Sequence, residues 1–147
     1  MAAEALVTQD RATLTPALIA AGRSLVRRLR ESVPLAAAFW LYQEERGRWR
    51  LMLASPLVSQ RGSLETYRQV QAVLEGRPER LPYGMNDLEL DDITVIDPGN
   101  ELVSLWRHIY PAGLASAEAR SFGVAIGGRY FEGAYFYFLE PGKPARA

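Results

Sequence analysis

Three runs in this chain are apolar on both alternating faces: "LAAAFWLYQ" (35–43), "WRLMLAS" (49–55) and "RYFEGAYFYFLE" (129–140). Side chains of a β-strand point alternately to the two faces of its sheet, so such runs must be covered on both sides. A sheet of this kind needs a layer on both faces, supplied by helices of the chain or, on one face, by a docked partner.

The turns between these runs predict how they pair. "EERGR" separates the first two runs and predicts a hairpin closing near Glu44 to Gly47. Tyr42 then opposes Trp49 and Trp40 opposes Leu51, which puts Phe39, Leu41 and Met52 on the other face. Gly127-Gly128 joins "ARSFGVAI" to the last run and supplies the positive φ angles of a tight turn, so that Phe131 opposes Val124. Simple alternation puts Phe131, Tyr135 and Tyr137 on one face of that strand, and Tyr130, Glu132, Phe136 and Phe138 on the other.

Three helices fit between the strands. Thr15-Pro16 reads as a cap and first position of a helix over 16–31, with Leu18, Gly22, Leu25 and Leu29 inward and Arg23, Arg27 and Arg30 opposite. Ser63 is the expected cap of a second, with Leu64, Tyr67, Val70 and Leu74 inward and Gly76 as its stop. Asp97 or Asn100 caps a third, whose Leu102, Leu105, Trp106 and Ile109 share a face before Pro111. "DITVI" is a short strand, and "GRPERLPYGMND" reads as a loop. The order α-β-β-α-β-α-β-β predicts an α+β single domain, a mostly antiparallel sheet packed with three helices. Expected boundaries are a flexible segment over 1–14, the domain over 15–140 and a tail over 141–147.

Length and composition agree with a globular domain. A chain of 147 residues, 48% hydrophobic and 23% charged, buries roughly 70% of its unfolded surface. The start shows no signal-peptide pattern, and "VPLAAAFWLY" is about half the length of a membrane span. A soluble, cytoplasmic protein without membrane partners is the expectation.

Several chemistries lack their residues. There is no cysteine, no nucleotide-binding glycine motif, and no G-x-S-x-G or H-E-x-x-H. The single lysine, Lys143, lies in a Pro-Gly tail, which argues against a Schiff-base enzyme. The single histidine, His108, falls in the last turn of the third helix, where the dipole favours its charged form.

The stretch "LELDDITVIDPGNEL" (88–102) looks most like a catalytic segment. Residues 81–101 carry six acids and no base. An EF-hand starting at Asp87 would need Gly where Asp92 stands and Glu where Pro98 stands. A Mg²⁺-dependent phosphodiesterase or nuclease using Asp91, Asp92, Asp97 and His108 is the enzymatic alternative. The structural account explains more residues: Asp87, Glu89 and Asp91 alternate with Leu88 and Leu90 as on a solvated strand edge, and Asp97 is a helix cap. No cofactor or resident metal is expected.

The charge balance is 17 against 17, with sixteen arginines. Arg23, Arg27 and Arg30 form a weak candidate anion stripe, but a neutral chain lacks the basic field of nucleic-acid modules. The leading expectation is a non-catalytic module that binds a protein or a second copy of itself through Tyr130, Tyr135 and Tyr137, whose apolar rings and polar tips suit an interface.

Taken together, "AAFWLYQEERGRWRLMLASPLV" and "LELDDITVI" resemble a group of small bacterial proteins to which no activity is assigned. The resemblance covers about residues 15–110, rests on no catalytic motif, and implies a bacterial, soluble protein.

Overall fold

A computed structural model describes residues 13–76, 88–114, 120–126 and 129–142, with side chains from 120 to 132 excepted. The elements are α1 (Pro16–Leu29), β1 (Ala37–Gln43), β2 (Arg48–Ala54), α2 (Leu57–Arg61), α3 (Ser63–Glu75), a 3-10 turn (Leu90–Asp92), β3 (Ile93–Ile96), α4 (Glu101–Ile109), β4 (Arg120–Ile126) and β5 (Arg129–Leu139). The five strands form one sheet in the order β3-β2-β1-β5-β4. β3 runs parallel to β2 and the other pairs are antiparallel. This is the expected α+β class with one added short helix, α2.

The β1–β2 hairpin has the predicted register, with Tyr42 opposite Trp49 and Trp40 opposite Leu51. Gly47 sits at φ 61°, which a side chain would strain. Val124 opposes Phe131 in the β4–β5 pair, as expected from Gly127-Gly128; the two glycines themselves lie outside the described residues.

Both faces of the sheet are covered at β1, β2 and the described side chains of β5. On one, Leu18, Leu25 and Leu29 of α1 and Val70 and Leu74 of α3 pack on Trp40, Leu51, Leu53, Tyr135 and Tyr137. On the other, Val103 and Trp106 of α4 pack on Phe39, Met52, Ala54, Phe136 and Leu139. The Trp106 ring stands edge-on to Phe136 (4.9 Å, 86°) and to Phe39 (6.1 Å, 72°), a geometry aromatic quadrupoles favour.

Simple alternation fails near the end of β5. Ala38 pairs with Phe138 and Phe39 with Phe136, so Tyr137 is an extra residue in a β-bulge. Phe138 therefore joins Tyr135 and Tyr137 on the α1 side rather than Phe136 on the α4 side. The close fit of α1 on this face depends on Gly22. A Cβ there would collide with the Tyr137 hydroxyl, with Tyr137 Cζ at 3.0 Å and Trp40 Nε1 at 3.1 Å.

Four local expectations need correction. Gly62, not Ser63, occupies the N-cap of α3 and makes no side-chain cap bond. Leu64 is 67% exposed, and the inward row is Thr66, Val70 and Leu74 at i+4 spacing. Asn100 caps α4 through Leu102 N–H (2.8 Å), whereas the Asp97 carboxylate accepts from Gly99 N–H (2.7 Å) in a local turn. Ile109 is 39% exposed, and Val103 takes the buried place on α4.

Candidate functional site: a proline-walled cleft at the strand ends

Glu89 and Asp91 do not lie on a strand, and Asp87 is outside the described residues. Glu89 and Asp92 make a reciprocal capping box around the 3-10 turn, with Asp92 accepting from Glu89 N–H at 3.0 Å. Asp92 is 1% exposed and forms an ion pair with Arg48 at 2.7 Å. It is a structural carboxylate. Asp91 beside it is exposed, and His108 is exposed on the last turn of α4.

Asp97 lies beyond the far end of β3 from Asp92, five residues along extended chain and so roughly 16 Å away. One cation at ordinary ligand distances of roughly 2–2.6 Å cannot take both. Among the described residues no group of three or more His, Asp and Glu could hold a metal ion. The acids are a turn cap, a surface residue and a local loop brace.

Two of the three tyrosines expected at an interface, Tyr135 and Tyr137, are core residues. Tyr135 is 9% exposed and Tyr137 is 5% exposed, both beneath α1. The Tyr137 hydroxyl accepts from Trp40 Nε1–H (2.8 Å) and donates to the Ile19 carbonyl (2.6 Å). Tying a strand ring to a helix backbone this way satisfies a buried indole and leaves no polar tip for a partner. Tyr130's side chain lies outside the described ones.

The arginine stripe is also divided. Arg23 reaches the Tyr135 hydroxyl at 3.5 Å, at the long limit of a hydrogen bond. Arg27 is exposed. Arg30 lays its guanidinium over the Phe138 ring, 4.0 Å from the centroid. Elsewhere, Arg28 donates to the Gly76 carbonyl (2.8 Å), and Arg50 to Thr94 Oγ1 (2.8 Å) and the Ile93 carbonyl (3.1 Å). Burial, and then the neighbouring Arg48 charge, hold the Arg50 guanidinium below its ordinary pKa.

A different site emerges from the sheet's topology. β1 begins, and β2, β3 and β5 end, along one edge of the molecule. Each strand carries a proline just outside that edge: Pro34 before β1, Pro56 after β2, Pro98 after β3 and Pro141 after β5. Proline has no N–H for a ladder and forces its predecessor toward extended backbone, so each strand stops there. The four prolines share the wall of an open cleft of about 580 Å³ with Val33, Leu35 and Ala36. By contrast, the hollow between α1 and α3 holds about 10 Å³, room for roughly one water.

The charged groups of the cleft are Arg30, Arg107 and Glu140. Arg107 donates Nε–H to the Glu140 carbonyl at 2.9 Å. Neither arginine forms an ion pair, and the ion pairs among the described residues are Arg48–Asp92 and Arg68–Glu65. An aromatic face orients one guanidinium and a backbone carbonyl the other. Arg30 depends on the β5 bulge, because the bulge turns Phe138 toward α1.

No family model matches the chain, and no curated protein or solved structure is detectably similar to it. Among the described residues, no helix is long and apolar enough to cross a membrane. One sequence signal marks the cleft: "ASP", "IDP" and "LEP" each put a proline two residues after a strand's last residue.

Proposed function

We propose that this chain is a non-catalytic protein-interaction module that binds a partner through the strand-end cleft. The observation that carries this reading is the cleft's wall: proline rings around two oriented guanidiniums that lack acidic partners among the described residues. Such a wall offers apolar contact and charge recognition. It brings together no nucleophile, no general base of suitable placement and no carboxylate pair. The volume is within the ordinary range for a binding site, and the rigid prolines preorganise it.

A photo-crosslinking residue in place of Pro98 tests this in cells of the source organism. A discrete covalent adduct is expected from the cleft, and none from the same residue in place of Leu64, which is exposed on α3. Equal adducts from both positions would count against the cleft. So would hydrolysis of a phosphodiester with Mg²⁺ or Mn²⁺ that Asp91→Asn abolishes without unfolding.

One observation favours a second copy of the chain as a partner. β4 is the outer strand at one side of the sheet, seven residues from Arg120 to Ile126 with no proline and a single charge. Edge strands that avoid pairing usually carry prolines, inward charges or bulges. Sedimentation should then show a concentration-dependent dimer, and a monomer at every concentration removes this self-association.

A further inference from the structure

The cleft has a charge preference, and its chemistry narrows the kind of segment it takes. Of its three charged residues two are arginines and one is Glu140, an excess of one positive charge (2 − 1). Arg30 uses the face of its guanidinium on Phe138, which leaves the in-plane N–H groups available for hydrogen bonds. Arg107 uses Nε–H on the Glu140 carbonyl, which fixes the plane and leaves the terminal nitrogens to donate. Two anchored forks of this kind match carboxylates, which accept paired parallel N–H bonds.

A phosphate cradled by backbone N–H groups fits the same wall poorly. Phosphate cradles are built from successive backbone N–H groups, in glycine-rich loops or at helix N-termini. Four of the ten lining residues here are prolines, which have no N–H to give. Of the remaining wall the proline rings offer aliphatic contact, while Val33, Leu35 and Ala36 are buried beneath them.

We infer that the cleft binds an acidic peptide segment of a partner protein, one in which Asp or Glu alternates with aliphatic residues. The acids meet Arg30 and Arg107 while the aliphatic side chains lie on the proline wall. This rests on the reading of the chain as an interaction module and names the chemistry of its partner. The apolar wall limits the desolvation of polar groups on binding, and the exposed guanidiniums speed encounter with an acidic segment.

The probe is a capped synthetic peptide of alternating Glu and Leu, with a Gln-Leu peptide of equal length as its neutral match, titrated into the full chain by calorimetry. The Glu peptide is expected to bind at least about tenfold more tightly. Arg30→Gln and Arg107→Gln should each weaken it by about tenfold. Arg27→Gln, on the same helix but outside the cleft, should leave it unchanged, and circular dichroism checks that each variant folds. Arg30→Lys, which keeps the charge but loses the stacked fork, should give an intermediate loss.

Equal binding of the two peptides, no binding of either, or an affinity indifferent to both Arg→Gln variants overturns the inference. None of these results touches the crosslinking test at Pro98. An adduct there with a partner whose bound segment carries no acid would retain the module and reject its acidic ligand.

Discussion

The tightest joint in the molecule is where Gly22, Trp40 and Tyr137 meet, and it yields a quantitative double-mutant cycle. Tyr137→Phe keeps the ring and removes one oxygen. That oxygen satisfies the Trp40 indole N–H, and Trp40 is fully buried. Leaving a buried donor without its acceptor costs about 1–3 kcal/mol. Gly22→Ala has two opposed effects. Alanine gains about 1 kcal/mol of helix propensity over glycine. Its methyl group, however, lands on the Tyr137 hydroxyl, and overpacking costs about 1–3 kcal/mol.

The single alanine variant should therefore lose on the order of 1 kcal/mol, which in a domain of this size lowers Tm by about 2–4 °C. In the double variant the oxygen is gone, and the nearest atoms are Cζ at 3.0 Å and Trp40 Nε1 at 3.1 Å. Most of the overlap disappears and the propensity gain remains. Urea denaturation of the four proteins should give a double loss smaller than the sum of the singles by about 1 kcal/mol. Additivity within about 0.3 kcal/mol would refute the argument that the hydroxyl dictates glycine at position 22.

Asp92→Asn should destabilise by about 1–3 kcal/mol, since the buried carboxylate serves both Arg48 and Glu89 N–H, while exposed Asp91→Asn should stay within about 0.5 kcal/mol in the same denaturation assay. Asn100→Ala should cost about 1 kcal/mol through loss of the α4 cap, and Asp97→Ala less; the reverse order in thermal melts would return the cap to Asp97. Trp106→Ala should cost about 3–5 kcal/mol because the ring is the centre of the α4-side core. Wild-type-like melting of that variant would show α4 to be peripheral.

The sheet was legible where a local rule determined a long-range pairing. The turn signals at Gly47 and Gly127-Gly128 predicted the two registers that the flanking strands show, and the row Leu18, Gly22, Leu25 and Leu29 marked the buried face of α1. The errors arose where two local solutions compete. Asp97 and Asn100 are both good caps, and the turn geometry uses one for Gly99 and the other for Leu102. Leu64 looked like a core residue because the short helix α2, hidden in "PLVSQRG", was not anticipated and the inward row of α3 starts at Thr66. Tyr135 and Tyr137 turned out to be core residues for a further reason: alternation says which residues share a face, but not that α1 lies over that face. The cleft was least legible, since its wall comes from four strand ends far apart in sequence, and only the repeated proline after a strand hints at it.

The bulge in β5 makes that strand read in two frames. Up to Phe136, odd and even positions obey one in-and-out rule, and from Phe138 onward they obey the opposite one. A deletion elsewhere in β5 would put every residue on one side of it out of phase, exchanging core side chains between the two faces. Deleting Tyr137 removes only the residue without a place in the ladder. Phe136 stays opposite Phe39 and Phe138 opposite Ala38, so the shortened strand is in phase along its whole length. A scan of single-residue deletions along β5 should thus keep the strand in phase only at the bulge, where the local damage is the loss of the buried Tyr137 ring and the two hydrogen bonds of its hydroxyl.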